Sequence, residues 1–225
     1  MTSGHPMWDI LIPTLGERRA LFDRLMGVLM PQVDAAGGRV RVVGWFNNGE
    51  PTLADIRQRM ILDPSRARYV SFVDDDDLVS PDYVPEILAA LDLSPDYVGF
   101  QVQCYSDGNP VAVAYHDLDH GRWVNLSDRY LRDISHLNPI RTTLARRADF
   151  RRSRRGSGED RVWAEQIRRG RVLRDQVVIP RIMYHYLHTN PGSATGSRWR
   201  NPRMIRVDNQ RSTVSGPNFL WSDHA

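Results

Sequence analysis

Short dense apolar runs alternate with longer stretches of helical spacing along the chain. MWDILIP, residues 7–13, is an apolar run stopped by Pro13 and predicts a buried strand. From Thr14 to Gln32, Leu21, Leu25, Val28 and Leu29 recur at helical spacing, and Pro31 is expected to close that helix. The valine-rich RVRVVGWF, 39–46, predicts a second strand ending in the turn signal Asn47-Asn48-Gly49. Leu53 to Leu62 reads as a short helix. ARYVSFV, 67–73, reads as a third strand that runs directly into Asp74-Asp75-Asp76-Asp77. A helix from Pro81 to Leu91, with Pro in its first turn, precedes a fourth strand, DYVGFQVQCY, 96–105. This β-α-β-α-β-α-β order predicts an α/β fold with a doubly wound, mostly parallel sheet. Sites in such sheets lie beyond the carboxyl ends of the strands, where Asn47-Asn48 and Asp74–Asp77 stand.

The pattern weakens from 106 to 135, where Asp107-Gly108-Asn109-Pro110 and Asp119-His120-Gly121 signal turns and a hairpin is expected. His136-Leu137-Asn138-Pro139 opens a polar segment that leads into an arginine cluster at 146–155. Glu159 to Arg169 predicts a helix, with Ser157 or Gly158 at its N-cap and Gly170 past its end. VVIPRIMYHYL, 177–187, predicts a late strand. Residues 189–225, rich in Pro, Gly, Ser and Asn, read as a tail or a lid.

A length of 225 residues suits one domain plus a tail. Cys104 is the only cysteine, which excludes an intrachain disulfide and a thiolate zinc cluster. No apolar run reaches the roughly 18 residues of a membrane span, and MTSGHPMWDILIP does not read as a secretion signal, so a cytoplasmic location is expected. All 30 basic residues are Arg, which removes Schiff-base and Lys-nucleophile chemistry. Residues 1–121 hold 9 Arg against 18 Asp+Glu, and residues 122–225 hold 21 Arg against 9. An acidic half joined to a basic half suits either a cation site beside an anion-binding surface or two solvated faces that neutralise each other.

Four aspartates at a strand terminus are costly unless a cation neutralises them, and their hard oxygens suit Mg²⁺ or Mn²⁺; the bland alternative is a solvated acidic loop. Glu159 and Asp160 open a helix, where carboxylates either cap it or act as a general base at a pocket mouth. On a strand, His185 and His188 point to opposite faces, so only one of them can complete a metal site. Arg146, Arg147, Arg151, Arg152, Arg154 and Arg155 form either a phosphate-binding set or an exposed basic loop. Trp123, Trp163 and Trp199, in the same half, are candidates for stacking on sugars or bases, or for the core.

Taken in order, these motifs resemble a family-2 glycosyltransferase of the GT-A fold, of bacterial or bacteriophage type, over residues 8 to 188. The resemblance lies in Ile12-Pro13-Thr14 with Arg18, Asn47-Asn48-Gly49-Glu50, Arg57, FVDDDDLVSPDYV at 72–84, HLNPIRTTLARR at 136–147, GEDRVW at 158–163 and YHY at 184–186. Ile56 and Ala54 depart from the pattern, standing where Lys and Gly are common. The resemblance implies a nucleotide-sugar-binding half, 1–105, and an acceptor and catalytic half, 106–188. It implies a nucleotide-diphosphate sugar, UDP-linked, held by Pro13, Thr14, Arg18, Asn47, Arg57, Asp74 and Asp75. It implies Mn²⁺ or Mg²⁺ on Asp76 and His185, with Asp74 on the ribose or a metal-bound water and Asp77 orienting the motif. Asp160 is then the base and Glu159 a positioning group, in an inverting displacement. His136, Asn138, Arg151, Arg152, Arg154, Arg155 and Trp163 fall on the acceptor side. The basic half directs the acceptor expectation to DNA carrying a hydroxymethylated pyrimidine, with a cell-surface polysaccharide, teichoic acid or protein as the alternative. A nucleotidyltransferase and an inactive nucleotide-sugar-binding homologue are the other classes. The first usually needs a Gly-rich phosphate loop, and residues 10–20 contain only Gly16.

Overall fold

The computed structural model describes residues 6–47, 51–153, 158–188 and 219–221. Strand β1 (Trp8–Leu15) is buried along its whole length and leads through a 3-10 turn, Gly16–Arg18, into helix α1 (Arg19–Ala35). Strand β2 (Val40–Asn47), helix α2 (Leu53–Leu62) and strand β3 (Tyr69–Phe72) follow. Thr52 and Asp55 exchange side-chain and backbone hydrogen bonds in a capping box, which sets the start of α2 where the spacing predicts it. After the aspartate run come strand β4 (Leu78–Val79), helix α3 (Tyr83–Asp92) and strand β5 (Tyr97–Ser106). Strand β6 (Asn109–His116) returns as a hairpin through Asp107 and Gly108, both at positive φ, as the turn signal predicts. Strands β7 (Val124–Asn125), β8 (Arg129–Arg132) and β9 (Ile140–Arg141) lead to the short helix α4 (Thr142–Ala145). Helix α5 (Glu159–Gly170), strand β10 (Gln176–His188) and strand β11 (Phe219–Trp221) complete the set.

These strands form one sheet, with the order β11-β2-β1-β3-β9-β5-β6-β8-β7 and β10 alongside β5 and β4. The sheet is mixed, which corrects the mostly parallel expectation. Among the described residues, β1–β2, β1–β3, β2–β11, β5–β10 and β6–β8 are parallel, whereas β3–β9, β5–β9, β5–β6, β4–β10 and β7–β8 are antiparallel. Two of the antiparallel pairings belong to β9, only two residues long, which wedges between β3 and β5 with no apolar run to announce it. Gly99 in β5 lies so near β6 that an added Cβ would stand 2.3 Å from the His116 carbonyl oxygen, so this close pairing requires glycine.

Alternation along the central strands divides the core. Trp8, Ile10 and Ile12 join Phe22, Leu25 and Leu29 of α1 and Val84, Ile87 and Leu91 of α3 on one face. Leu11, Val43, Trp45 and Phe72 join Ile56 and Met60 of α2 and Trp163 and Ile167 of α5 on the other. Pro31 sits inside α1 instead of closing it, because Val33 needs a further turn to reach the first core. The chain leaves the helix at Gly37 and Gly38, both at positive φ. Helix α3 starts at Tyr83, not at Pro81, because Leu78 and Val79 pair with β10 and Ser80 N–H donates to the Met183 carbonyl. Of the predicted tail, only β11 falls among the described residues, on the free edge of β2. No helix of the described residues is long and apolar enough to cross a membrane.

Trp163, expected on the acceptor side, is fully buried in the second core. Its ring stacks on Phe150 with centroids 5.1 Å apart, and its Nε1 donates to the Ala145 carbonyl at 3.2 Å. Trp163→Ala is expected to destabilise the fold by about 3–5 kcal/mol, as for other large aromatic truncations, measured by urea denaturation. Trp163→Phe should recover most of that loss.

Candidate active site

Strands β1 and β3 run parallel, so Pro13, Thr14 and the aspartate run emerge together at one edge of the sheet. Position along the run divides its four carboxylates. Asp77 points inward, accepting from the Tyr184 hydroxyl and the Leu187 N–H, each at 2.7 Å. Burial pushes its carboxyl well above the usual range. Asp75 is also buried and accepts from the Thr14 hydroxyl at 2.6 Å and Arg18 Nη1 at 2.5 Å. Burial pushes it up to about 6, against the pull of Arg18. Asp76 and Asp74 remain about a quarter exposed, at 26% and 25%. Asp76 takes Arg18 Nη2 at 2.7 Å and is raised by burial. Burial raises Asp74 too, but Arg57 beside it, with help from His136, holds it well below the usual carboxylate range.

Arg57 connects this turn to the start of α5. Its Nη2 donates to Asp74 at 2.6 Å and its Nη1 to Glu159 at 2.8 Å, while its guanidinium lies 5.6 Å from the Phe72 ring centroid. Gly158 caps α5 at a φ of 72°, a left-handed conformation that suits glycine. Glu159 is therefore buried and tied. Asp160, the next residue, faces a cleft of about 610 Å³ and makes no hydrogen bond or ion pair with the described residues.

Pro13, Arg18, Arg57, Asp74, Asp75, Asp76, His136, Arg151, Glu159 and Asp160 all line this one cleft. Thr14 stands behind it and holds Asp75. Both ring nitrogens of His136 are buried without a hydrogen-bond partner, and Nε2 is 3.8 Å from Asp74. Asn138 is fully buried and works at second hand, with Oδ1 2.5 Å from His116 Nδ1 and Nδ2 donating to the Val98 carbonyl. Arg152 lies outside the cleft, in a separate hollow with Arg146 and Arg147. Asn47 ends β2; Asn48–Glu50 and the arginines at 154 and 155 lie outside the described residues.

His185 does not reach the aspartates. Alternation along β10 turns Tyr184 and Tyr186 toward the acidic turn and the cleft, and sends His185 to the opposite face. There its ring nitrogens lie 3.4 Å from Ser80 Oγ and 3.3 Å from the Tyr105 hydroxyl. The expected metal set of Asp76 with His185 is thus not assembled, and no group of three or more His, Cys, Asp or Glu among the described residues is placed to cage an ion. The partly exposed oxygens of Asp74 and Asp76 fit instead a Mg²⁺ or Mn²⁺ that completes its shell with water and substrate phosphates. Tyr184 as the anchor of Asp77, and Tyr186 in the cleft, stand in the YHY motif, but the motif assigns them no role; His116, Tyr130 and Arg132 in the cleft carry no sequence signal of their own.

No protein-family model and no curated protein matches this sequence. Solved structures do. S. aureus TarS 1–349 superposes with a TM-score of 0.56 at 16% identity, covering 80% of this chain and 60% of that one. The same protein in complex with UDP-GlcNAc superposes with a TM-score of 0.54 at 14% identity, covering 82% and 59%. Its complex with UDP gives a TM-score of 0.57 at 16% identity, covering 80% and 60%. The fold is therefore a GT-A-like α/β fold, similar to that of a protein solved with a nucleotide sugar. The chain spans about 60% of the length of TarS 1–349.

His116 yields a pH prediction. Burial pushes its pKa down to about 4, against the hydrogen bond that its Nδ1 makes to Asn138 Oδ1. A depressed folded pKa favours the neutral ring, so the stability it supports is complete above the ordinary His value and is lost as pH falls through about 4. The stability difference between parent and His116→Gln is expected to shrink by about 1–2 kcal/mol from pH 7 to 4.5, by urea melts at the two pH values. An unchanged difference would show that the His116 imidazole is not held neutral by burial.

Proposed function

We propose that the chain is a glycosyltransferase that moves a sugar from a UDP-linked donor to an acceptor hydroxyl with inversion. The observation that carries this reading is the pair Glu159 and Asp160. Arg57 fastens the first to the aspartate turn, and the second faces the same cleft with no ion pair among the described residues. A carboxylate so held takes the acceptor proton as the oxygen attacks the anomeric carbon from the side opposite the diphosphate. Glu159 sets the position of Asp160 through its bond to Arg57. Arg18, forked between Asp75 and Asp76, and Pro13 at the end of β1 border the donor side. Mn²⁺ or Mg²⁺ held by Asp76 and Asp74 would offset charge developing on the departing diphosphate. His136 lines the cleft beside Asp74, with Nε2 3.8 Å from that carboxylate, and helps to set its position. The TarS complexes with UDP and UDP-GlcNAc, on the same fold, support the choice of donor.

For the acceptor, a glycan, teichoic acid or protein hydroxyl has better support than hydroxymethylated DNA. The DNA reading depends on an open arginine cluster. Arg146 instead turns inward to the Ile61 and Asp63 carbonyls, and Arg151 pairs with Asp149. Transfer of labelled sugar to hydroxymethylated duplex DNA, but not to glycan or peptide acceptors, would reverse that preference.

Asp160→Asn is expected to lower kcat by about 10²–10⁴-fold with UDP affinity retained, read from UDP release and from calorimetric titration of UDP. A larger kcat loss in Glu159→Gln would exchange the two roles. Asp76→Asn should lose Mn²⁺ binding by electron paramagnetic resonance in the presence of UDP while keeping the parent melting temperature. Undiminished Mn²⁺ binding would exclude Asp76 as the ligand.

A further inference from the structure

Four arginines line the cleft: Arg18, Arg57, Arg132 and Arg151. Three are matched by carboxylates, Arg18 by Asp75 and Asp76, Arg57 by Asp74 and Glu159, and Arg151 by Asp149. Arg132 forms no ion pair among the described residues, yet it is firmly held. Its guanidinium carbon lies 5.0 Å from the Trp123 ring centroid and 5.1 Å from that of Tyr130. Its Nη1 donates to the carbonyls of Val124 and Leu131 at 3.2 and 2.9 Å, and its Nη2 to Asn125 Oδ1 at 2.9 Å. A guanidinium has five N–H donors, so two are without a partner among the described residues.

Among the described residues no carboxylate touches Arg132. The inner cleft is floored by Val102, Cys104 and Ala114. Burial pushes the Cys104 thiol up to about 11 and His116 down to about 4, so both are neutral near pH 7. Asp160 lines the same cleft, beyond ion-pair distance but near enough for its field to act on Arg132. A fixed cation beside apolar side chains, already ordered by two rings and three hydrogen bonds, is preorganised for an anion.

Building on the glycosyl-transfer reading, we propose that Arg132 is a specificity residue that receives a carboxylate or phosphate of a saccharide or polyol acceptor, placing a neighbouring hydroxyl beside Asp160. The anion docks on the remaining N–H groups of Arg132, and a hydroxyl of the same molecule meets the base across the cleft that both residues line. An uncharged acceptor would leave the cation without a partner and bind weakly.

The test uses the full chain with saturating UDP and three probes, methyl glucoside, methyl glucuronide and glucose 6-phosphate, by ligand-observed NMR titration. At least one charged probe is expected to bind about tenfold tighter than the glucoside, as a charge-assisted contact gives. Arg132→Met should bring that ratio to about one, with UDP affinity unchanged and the parent circular dichroism spectrum, and Arg132→Lys should restore part of the preference. Equal binding of charged and uncharged probes, or a preference that survives Arg132→Met, would overturn the proposal while leaving glycosyl transfer intact. Tighter binding of a hydroxymethylated pyrimidine nucleoside than of either charged probe would overturn it in favour of a nucleic-acid acceptor. Failure of the parent to bind UDP would overturn both readings.

Discussion

The buried guanidinium of Arg57 is the constraint on which the site depends. It rises from α2, packs on Phe72 at the end of β3, and joins Asp74 to Glu159, two carboxylates from opposite halves of the chain. Burying three charges costs desolvation that their attraction only roughly repays, so the triad is a weak source of net stability. Its value is geometric. A hydrogen-bonded cation between two carboxylates admits few arrangements, and this one fixes the distance from the aspartate turn to the start of α5. Asp160 inherits its position from that fixed point.

Environment, more than residue type, sorts the acidic groups into roles. Asp75 and Asp77 are buried and bound by Thr14, Arg18, Tyr184 and the Leu187 N–H, so they shape the turn. Asp74 and Asp76 keep oxygen surface toward the cleft. Glu159 is tied and Asp160 is open, one residue apart on a single helical turn. The same logic separates the arginines. Those matched by carboxylates hold the frame, and Arg132, held by rings and carbonyls, keeps an unspent charge.

The mixed sheet serves the same end. Parallel β1 and β3 deliver Pro13 and Asp74–Asp77 to one edge. Antiparallel pairing of β4 with β10 closes over that turn and brings Tyr184 to Asp77. The β5–β6 hairpin carries His116, and β8 beside it carries Arg132, so the irregular part of the sheet builds the inner cleft.

Local pattern alone determined much of this protein. The strands around 7–13, 39–46, 67–73 and 96–105, the helix Leu53–Leu62 and the start of α5 follow from apolar period and capping residues, which act within a few positions. The aspartate run and Glu159-Asp160 were legible for the same reason, since their chemistry lies in adjacent residues. Only the tertiary structure decided what depends on long-range pairing. A two-residue β9 has no period to read, and its position put antiparallel pairings between the central strands β3 and β5. Trp163 passed from the acceptor side to the core because its neighbour across the fold is Phe150. His185 turned from the aspartates because the register of β10 against β4 and β5 sets which face it occupies. Arg132 stood in the weakest stretch of the sequence pattern, and its lack of an ion pair among the described residues becomes visible only once the carboxylates that hold Arg18, Arg57 and Arg151 are placed in space.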